Sequence, residues 1–281
     1  MAACDTSMLF LEPWSTDRGN PYYRTDPDEG YDVKNFEWLP YKVKVQDARA
    51  NMSKFNLDDN GFAFQADSSS GATEIIEAFE QNDDDKVREL YYPHVARLIK
   101  RATGASEVLV FNHTVRRRNP SVGLFGGGKG GQQPASTVHC DQTSTGAMRR
   151  VKQYLGDQAE EKLKGRCMIV NVWRPIKGPV QDWPLAMMDG TSAAPSHLHP
   201  TDLWKKQFDF LGQTMNISHS EDQRWYYLSN HSVDEVTFIK IWDSGENVPA
   251  KLCPHSAFED PSTPEGAPLR ESVEARALVF Y

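Results

Sequence analysis

The chain has few of the features that mark membrane, secreted or nucleic-acid-binding proteins. No apolar run approaches the roughly 18 residues needed to cross a bilayer, and no N-terminal segment has the pattern of a signal peptide. The net charge is −8, and the one basic cluster, at residues 116–118, is short, which disfavours a nucleic-acid partner. The four cysteines form no C-x-x-C pair, which disfavours a zinc knuckle or a redox dithiol. We therefore expect a cytoplasmic protein with neither a membrane nor a nucleic acid as partner.

The composition is that of a folded domain rich in aromatic residues. Hydrophobic residues make up 39% and charged residues 25% of the chain, as is typical of globular proteins. The 7 Trp, 10 Tyr and 13 Phe suit a sheet-rich fold with a pocket for a bulky apolar small molecule. We expect one domain over residues 1–281, with a Pro-, Gly- and Asp-rich irregular arm at residues 1–34. The arm could wrap a neighbouring copy, so a homodimer is one alternative.

Helical and strand patterns separate at about residue 105. Residues 84–103 place apolar side chains at helical spacing before Gly104, and Pro93 should kink or split this helix. A second helix is predicted at residues 144–164, whereas residues 175–203 show no clear periodicity. Strands dominate the rest of the chain after residue 105. The pattern favours a mostly β fold with flanking α-helices, a double-stranded β-helix (jelly-roll) core braced by helices.

A glycine-rich stretch at residues 126–131 contains Lys129 but no following Ser or Thr, so it does not match the spacing of a phosphate-binding loop. We interpret it as a mobile loop, and as a candidate lid over a pocket. Four nearby or downstream aromatic residues are candidates for the apolar walls of that pocket: Phe125, Trp183, Trp204 and Phe258.

The most informative motif is His139-Cys140-Asp141 in a predicted strand. Strand side chains alternate with a period of two, so His139 and Asp141 share a face and Cys140 points the other way. An imidazole and a carboxylate together with a second histidine make the facial triad that binds iron(II) and leaves positions open. The motif therefore predicts a metal site that needs one more ligand.

The third ligand is expected to be His255, which follows a predicted strand and precedes the last one. In a jelly roll, the strand that bears the first ligands and a late strand are neighbours at the mouth of the barrel. His197 and His199 form a His-x-His pair in what is predicted to be a solvated Pro/Ser loop, and they remain a minor alternative. His219 and His231 look like a solvated residue and an ordinary turn residue.

Two arginines after His255 are candidates to bind a 2-oxo dicarboxylate on the metal. Arginine offers a planar bidentate fork to the distant carboxylate of such a co-substrate. Arg276 lies in an otherwise apolar strand, where a guanidinium is costly without a partner, and Arg270 is six positions earlier, on the same face. The alternative for Arg276 is an outward side chain paired with Glu274 or Glu271.

Five sequence blocks resemble one known family: HCDQT, NVWRPIKGPVQDWPLAMMD, DEVTFIKIWDS, CPHSAFEDP and PLRESVEARALVFY. In this order they resemble the gibberellin-desaturase-like, cephem-methoxylase-related Fe(II)/2-oxoglutarate-dependent oxygenases of fungal natural-product pathways. The resemblance runs from about Glu107 to the C-terminus.

The resemblance implies a jelly roll with His139, Asp141 and His255 as iron ligands, and Arg270 or Arg276 as the 2-oxoglutarate anchor. It also implies that Asn171, Trp173 and Arg174 line or brace the pocket. The implied cofactors are Fe(II), 2-oxoglutarate and O₂, with ascorbate as a reductant in vitro. The implied reaction is hydroxylation, desaturation or endoperoxidation at an unactivated C–H of an apolar natural product, such as a terpenoid, in fungal secondary metabolism.

Two other functions are compatible with the residues alone. A non-catalytic jelly-roll binding module would need no buried arginine beside the His-x-Asp motif. A metal-dependent hydrolase with the same three ligands would need neither O₂ nor 2-oxoglutarate.

Overall fold

A computed structural model of the chain describes residues 3–68, 73–124, 127–128, 131–206 and 209–281. Within these residues the chain forms two β-sheets that share a hydrophobic core, with helices packed on the second sheet. The architecture is mostly β with flanking helices, in agreement with the predicted jelly-roll class.

The first sheet has nine strands in the described residues. In their order across the sheet they are β1 (Ala3–Leu11), β3 (Trp38–Asp47), β13 (Trp225–Tyr227), β10 (Leu185–Met188), β15 (His255–Ala257), β8 (His139–Cys140), β12 (Phe210–Ile217), β11 (Leu198–Trp204) and β2 (Tyr22–Arg24). The short strands β15 and β8 lie at its centre.

The second sheet has seven strands in the described residues. In order they are β4 (Phe62–Ala66), β14 (Glu235–Asp243), β9 (Cys167–Lys177), β16 (Glu271–Phe280), β5 (Glu107–Arg117), β7 (Gly131–Gln132) and β6 (Gly127–Gly128). The glycine-rich stretch thus contributes two short edge strands, while residues 125, 126, 129 and 130 of the predicted wall and lid lie outside the described residues.

The central strands β9 and β16 are buried on both faces because each face has its own core. In β16, Leu278 and Phe280 face the core between the two sheets, whereas Ala277 and Val279 face the helices. Strand alternation sends Arg276, two positions before Leu278, toward the space between the sheets. The polar residues of this strand are therefore available to a site inside the barrel.

The described helices are α1 (Leu57–Asn60), α2 (Thr73–Gln81), α3 (Asp84–Lys86), a π-helical turn (Val87–Tyr91), α4 (Tyr92–Thr103), α5 (Ser144–Leu155) and α6 (Ala159–Lys162). The outer face of the second sheet is covered by α2, the π-helical turn and α4, whereas α5 and α6 contribute Ala147, Val151 and Ala159 to the core between the sheets. The predicted split at Pro93 is confirmed: the π-helical turn ends where α4 begins, because proline cannot donate to the preceding turn. Gly104 ends α4 in the left-handed conformation, with φ 70°.

The prediction of an irregular arm at residues 1–34 is wrong for its first part. Residues 3–11 form β1, which pairs along its whole length with β3. Phe10 and Leu11 are fully buried, so this strand is part of the core. The strand was not predicted for two reasons. The residues that follow it are polar, and its own alternation, of exposed and half-buried positions, extends only over its first half.

Two further predictions need correction. Residues 175–203 contain β10 and most of β11; β10 is buried at every position and therefore lacks alternation. The helix predicted at residues 144–164 breaks after Leu155, at Gly156.

No described helix combines the length and the apolar character that a bilayer crossing requires.

Candidate active site

Strand pairing brings the two predicted histidine ligands together. In the β8–β15 pair, His139 lies directly opposite His255, and directly opposed residues project from the same face of a sheet. Their ring centroids are 4.7 Å apart. Cys140, between His139 and Asp141, points into the core and its thiol contacts the carbonyl of Ile241. The alternation predicted for His-x-Asp is therefore present.

Asp141 completes a cluster of three metal-binding side chains. Its Oδ1 lies 3.4 Å from His139 Nε2 and 3.9 Å from His255 Nε2. One donor atom from each of the three residues lies within 4.8 Å of the others, and this is the one such cluster of three among the described residues. Two imidazoles and one carboxylate at this spacing are suited to a facial iron(II) site.

Backbone carbonyls orient both imidazole rings. His139 Nδ1 lies 2.8 Å from the carbonyl oxygen of Thr137, and His255 Nδ1 lies 3.0 Å from that of Cys253. A carbonyl can only accept, so each Nδ1 carries the proton and each Nε2 keeps its lone pair for a metal. Burial, reinforced by His139, lowers the pKa of His255 and favours the neutral form that binds metals.

The second sheet holds the carboxylate in place. Asp141 Oδ2 accepts from Asn171 Nδ2 of β9 at 2.8 Å and from Arg276 Nε of β16 at 3.1 Å. Burial opposes ionisation of Asp141, but Arg276 and the two histidines hold the pKa of this carboxyl well below its usual range. Asp141 is thus an ionised candidate ligand whose other oxygen faces the two imidazoles.

Arg276 is fully engaged within the protein. Besides Asp141, it donates to Thr114 Oγ1 at 2.7 Å and to Asn112 Oδ1 at 3.0 Å, and it pairs with Glu274. Although burial opposes its charge, Glu274 and Asp141 raise the pKa of Arg276. The guanidinium faces the pocket, and its pair with Glu274 forms there rather than on an outward face of the strand.

Arg270 has the features of an anion-binding arginine. It is 3% exposed and its guanidinium lies over the ring of Trp173, 5.0 Å from the centroid. Its side chain donates to Ser272 Oγ at 3.1 Å and to the carbonyl of Trp183 at 2.7 Å. Among the described residues no acidic side chain forms an ion pair with it, and burial lowers its pKa to about 9. A buried cation without an acid is a strong site for a carboxylate ligand.

A narrow cleft joins Arg270 to the candidate ligands. It is bordered by Arg116, Ala135, His139, Asp141, Trp173, Leu185, His255, Arg270 and Glu274. Arg116 and Glu274 were not predicted from the sequence as residues of the site. The signal was present in β5, where the polar side chains of Asn112, Thr114 and Arg116 recur at every second position and so share one face of the strand.

Arg174 does not join this group, contrary to the expectation that it lines the pocket. Asn171 and Trp173 face Asp141 and Arg270, so strand alternation turns Arg174 to the opposite side of β9. There it is buried and pairs with Asp67, which also contacts His94 at 2.7 Å. Arg174 therefore braces the packing of the helices on the second sheet.

Two cavities reach the candidate ligands. The larger, about 570 Å³, is lined by His139 and by apolar side chains that include Phe36, Trp38, Leu124 and Leu203. The second, about 400 Å³, is lined by Asp141, Arg276, Phe111 and Tyr154, and shares Leu203 and Thr214 with the first.

The predicted aromatic walls lie elsewhere. Trp183, Trp204 and Phe258 do not belong to the described lining of either cavity. Phe125 lies outside the described residues. Phe258 packs on Tyr227 in the core, with ring centroids 5.4 Å apart, and Trp204 packs on Phe210 at 5.1 Å. Aromatic residues of the first 40 positions form the wall instead.

The other histidines considered as ligands make contacts elsewhere in the protein. His199 is buried in β11 rather than in a solvated loop, and its Nε2 lies 2.9 Å from Ser218 Oγ, which also contacts His197 Nδ1 at 2.9 Å. His219 stacks on Tyr41 with ring centroids 4.4 Å apart. His231, expected in an ordinary turn, is 4% exposed and packs against Trp173.

The residues present fit an iron(II) ion with 2-oxoglutarate. The donor set is two imidazoles and one carboxylate, with a cavity on their open side. The indole N–H of Trp173 and the side-chain carbonyl of Asn171 are buried with no hydrogen-bond partner among the described residues. Trp173 borders the cleft together with Arg270, so the cleft has hydrogen-bonding capacity for a polar ligand.

Comparison with known proteins agrees with this site. A family model described as YDMC, Oxidoreductase/YMDC permease-like domain, matches residues 8–280. The Fe(II)/2-oxoglutarate-dependent dioxygenase nvfI of Aspergillus novofumigatus is 40% identical over 277 residues, covering 99% of this chain and 96% of the relative. Hydroxylase/desaturase efuI of Hormonema carpetanum is 35% identical over 256 residues, covering 85% of this chain and 83% of the relative.

A solved structure of the iron and alpha-ketoglutarate-dependent endoperoxidase NvfI superimposes with a TM-score of 0.92 at 39% identity, covering 100% of this chain and 98% of that chain. The chain therefore belongs to the matched oxidoreductase family, within the Fe(II)/2-oxoglutarate-dependent dioxygenases of fungal secondary metabolism. It is an oxidoreductase that uses Fe(II), 2-oxoglutarate and O₂. The comparisons favour this function over a binding module or a hydrolase.

Proposed function

We propose that the enzyme oxidises an unactivated C–H bond of an apolar natural product, with His139, Asp141 and His255 as the iron ligands. The observation that carries the proposal is the triad itself: its donor atoms lie within 4.8 Å of one another, next to the buried Arg270 and open to a large cavity. For hydroxylation the overall balance is R–H, 2-oxoglutarate and O₂ giving R–OH, succinate and CO₂.

The bound iron and 2-oxoglutarate supply the oxidising power, and the protein supplies position and environment. His139 and His255 present their Nε2 lone pairs because each Nδ1 proton is bound to a backbone carbonyl. Arg276 and Asn171 hold one oxygen of Asp141, which keeps the carboxylate ionised and directs its other oxygen to the metal position.

Arg270 is the anchor for the distant carboxylate of 2-oxoglutarate. Arg276 already has two acidic partners and two neutral ones, whereas Arg270 has two neutral partners. Trp173 provides a flat wall beside Arg270, and Arg116 adds a second positive charge at the same cleft. The buried position of this pair strengthens the attraction for an anion because little water screens it.

The substrate occupies the cavity of about 570 Å³ that reaches His139. Its volume suits a compact multi-ring molecule, and its apolar wall suits a terpenoid or another hydrocarbon-rich skeleton. A close-fitting apolar wall also excludes water and holds one C–H group near the metal, which decides where oxidation occurs. NvfI is an endoperoxidase and efuI a hydroxylase/desaturase, so all three outcomes are represented among the relatives.

The test is product analysis by mass spectrometry with a panel of polycyclic and terpenoid compounds, Fe(II), ascorbate, 2-oxoglutarate and ¹⁸O₂. Hydroxylation adds one labelled oxygen atom, endoperoxidation adds two, and desaturation removes two hydrogen atoms without adding oxygen. Succinate should form only when iron, 2-oxoglutarate and O₂ are all present. Turnover under nitrogen, or without 2-oxoglutarate, would contradict the proposal and favour a hydrolase.

We further propose that residues 1–281 act as a single jelly-roll domain in the cytoplasm, with a homodimer as one alternative for its oligomeric state. The core between the two sheets is built from the whole length of the chain, which supports a single domain. Light scattering of the purified protein distinguishes monomer from dimer, and limited proteolysis that released a stable folded fragment would argue against one domain.

A further inference from the structure

Four adjacent strands of the first sheet carry a row of side chains across the candidate active site. His199 of β11 is paired with Asn216 of β12, Asn216 with His139 of β8, and His139 with His255 of β15. Directly opposed residues project from the same face, so Asn216 is the immediate neighbour of a proposed iron ligand on the side of the large cavity.

Asn216 is buried but its amide is not used by the fold. It is 3% exposed and lines the cavity of about 570 Å³. Within the part of the chain that the structure describes, its side chain takes part in no hydrogen bond. A carboxamide can donate twice and accept twice, and the amide atoms of Asn216 are not among those that are both sealed from solvent and unpaired, so this amide is open to a partner in the cavity.

Ser136 is a second unpaired group at the same cavity. It is 5% exposed, and its hydroxyl is buried with no hydrogen-bond partner among the described residues. Two other hydroxyls of the cavity lining are satisfied: Thr201 donates to the carbonyl of His199 at 3.1 Å, and Thr214 to that of Cys140 at 2.9 Å. Among the described polar residues of this lining that are less than 10% exposed, Thr201 has a side-chain hydrogen bond, and Asn216 and Ser136 have none.

Lys34 and Arg116 of the cavity wall have partners within the protein, whereas the two unpaired groups, Asn216 and Ser136, are neutral. Lys34 is paired with Glu37 at 2.7 Å, and Arg116 donates to the carbonyl of Gln133 at 2.8 Å. An amide and a hydroxyl can both donate to a neutral oxygen without the desolvation cost that a buried charge would carry.

We propose that Asn216 and Ser136 are substrate-positioning residues that bind a carbonyl or hydroxyl oxygen of an otherwise apolar ring compound. This inference rests on the proposed function, since the oxygen anchor would fix which C–H group lies beside His139. The substrate class is therefore narrower than a hydrocarbon: it is a ring system that already bears an oxygen atom, so an earlier oxygenating or cyclising step must supply it.

Three variants separate this role from a structural one. Ser136→Ala and Asn216→Leu remove the unpaired groups with little change in shape. Thr237→Val is the matched control, because the hydroxyl of Thr237 is also buried and unpaired among the described residues but does not belong to the lining of the large cavity. In the ligand-free protein, Ser136→Ala should leave the melting temperature unchanged or raise it, since no hydrogen bond is lost.

The binding test uses 2-decalone, a two-ring ketone, as the probe for the protein loaded with Fe(II) and 2-oxoglutarate under nitrogen. Calorimetry should show that Ser136→Ala and Asn216→Leu each weaken binding of the ketone by about 2- to 12-fold, the range for one lost hydrogen bond. Thr237→Val should bind it as the wild type does.

Equal affinities in the wild type and in both site variants would overturn the inference, as would a wild type that does not bind the ketone. A clear fall in melting temperature for Ser136→Ala would also overturn it, because that is the result for a structural hydroxyl. Failure of the proposed function is seen separately: the loaded protein would then lack the visible absorption that Fe(II) and 2-oxoglutarate produce together.

Discussion

Arg276 and Asp141 form an ion pair between the two sheets, with Arg276 Nε 3.1 Å from Asp141 Oδ2. Asp141 follows the short strand β8 of the first sheet, whereas Arg276 lies in the long strand β16 of the second. The carboxylate of Asp141 is therefore positioned by the opposite wall of the barrel. Because Arg276 is paired with this carboxylate, Arg270 is the arginine that we propose for the co-substrate.

Removal of any iron ligand should abolish iron binding. For His139→Ala, Asp141→Ala and His255→Ala we expect a loss of Fe(II) affinity greater than the roughly 10- to 100-fold caused by loss of an outer-shell partner. The measurement is an anaerobic titration with Fe(II) in the presence of 2-oxoglutarate, monitored by visible absorption. His197→Ala is the control and should retain the absorption, since His197 contacts Ser218 rather than the triad. Loss of iron in that variant would revive the His-x-His alternative.

Substitution of Arg270 should weaken binding of 2-oxoglutarate. Loss of one partner of a buried charged pair costs about 2–5 kcal/mol, so Arg270→Gln should raise the Kd for 2-oxoglutarate by roughly 30-fold or more. The Kd is measured by titrating the Fe(II)-loaded protein with 2-oxoglutarate under nitrogen. Arg117→Gln is the control, because Arg117 pairs with Glu271 outside the cleft.

Substitution of Arg276 should instead weaken the iron site. Arg276→Gln removes the cation that keeps Asp141 ionised, so Fe(II) affinity should fall about 10- to 100-fold, as for other outer-shell partners. The affinity for 2-oxoglutarate, measured at saturating iron, should change less than in Arg270→Gln. The reverse pattern, with Arg276 dominating 2-oxoglutarate binding, would exchange the two roles.

Substitution of Asn171 should lower the affinity for Fe(II) without destabilising the fold. Asn171→Ala removes the 2.8 Å hydrogen bond to Asp141, and we expect iron affinity to fall about 10-fold or more. Asn60→Ala is a matched control, since it removes an amide-to-carboxylate bond of 3.3 Å to Asp189 elsewhere in the protein. Competition with a chelating dye gives the affinities. Identical iron binding in the two variants would argue that Asn171 only packs.

Acid should destabilise the fold through His231. Burial lowers the pKa of His231 to about 3, whereas an unfolded histidine has a pKa of about 6.5. Between these values the unfolded chain takes up a proton that the folded protein does not, so stability falls as the pH drops below 6.5 and levels off near 3. At pH 5 this histidine should contribute about 2 kcal/mol of destabilisation relative to pH 7.5.

Urea unfolding at pH 7.5 and pH 5 measures this effect. His231→Phe keeps an aromatic ring against Trp173 and should lose about 2 kcal/mol less than the wild type over that interval. An equal loss in the two proteins would mean that other groups govern the acid sensitivity.

The N-terminal strand should be essential for stability. Phe10 is fully buried and its ring contacts Tyr41, His219 and Trp225, so Phe10→Ala should cost about 3–5 kcal/mol. Leu39, its partner in the register with β3, is 36% exposed, and Leu39→Ala should change stability by only about 0.5 kcal/mol. The free energies of unfolding are measured in urea. A loss for Phe10→Ala as small as that for Leu39→Ala would show that β1 is a loosely attached arm.

The sequence alone was sufficient for the type of fold and for the expectation that His139 and Asp141 lie together. Alternation of side chains along extended backbone turns Cys140 away from its two neighbours, and this is the arrangement that the structure has. The charge of Arg276 in the apolar second half of its strand indicated a partner, and the structure pairs it with Asp141 and Glu274. These are local properties of neighbouring residues, and local geometry determines them.

Other features depended on contacts between distant segments, and only the tertiary structure decided them. Glu274 and Asp141 both contact Arg276, and this leaves Arg270 as the arginine without an acidic partner among the described residues. The spacing of these residues in the sequence does not predict which arginine the two acids contact. Arg174 lies on the far side of β9 because the strand extends past Trp173, and Asn216 borders the site because β12 pairs with β8. Sequence patterns describe the faces of single elements, whereas the pairing of elements far apart in the chain determines which faces meet.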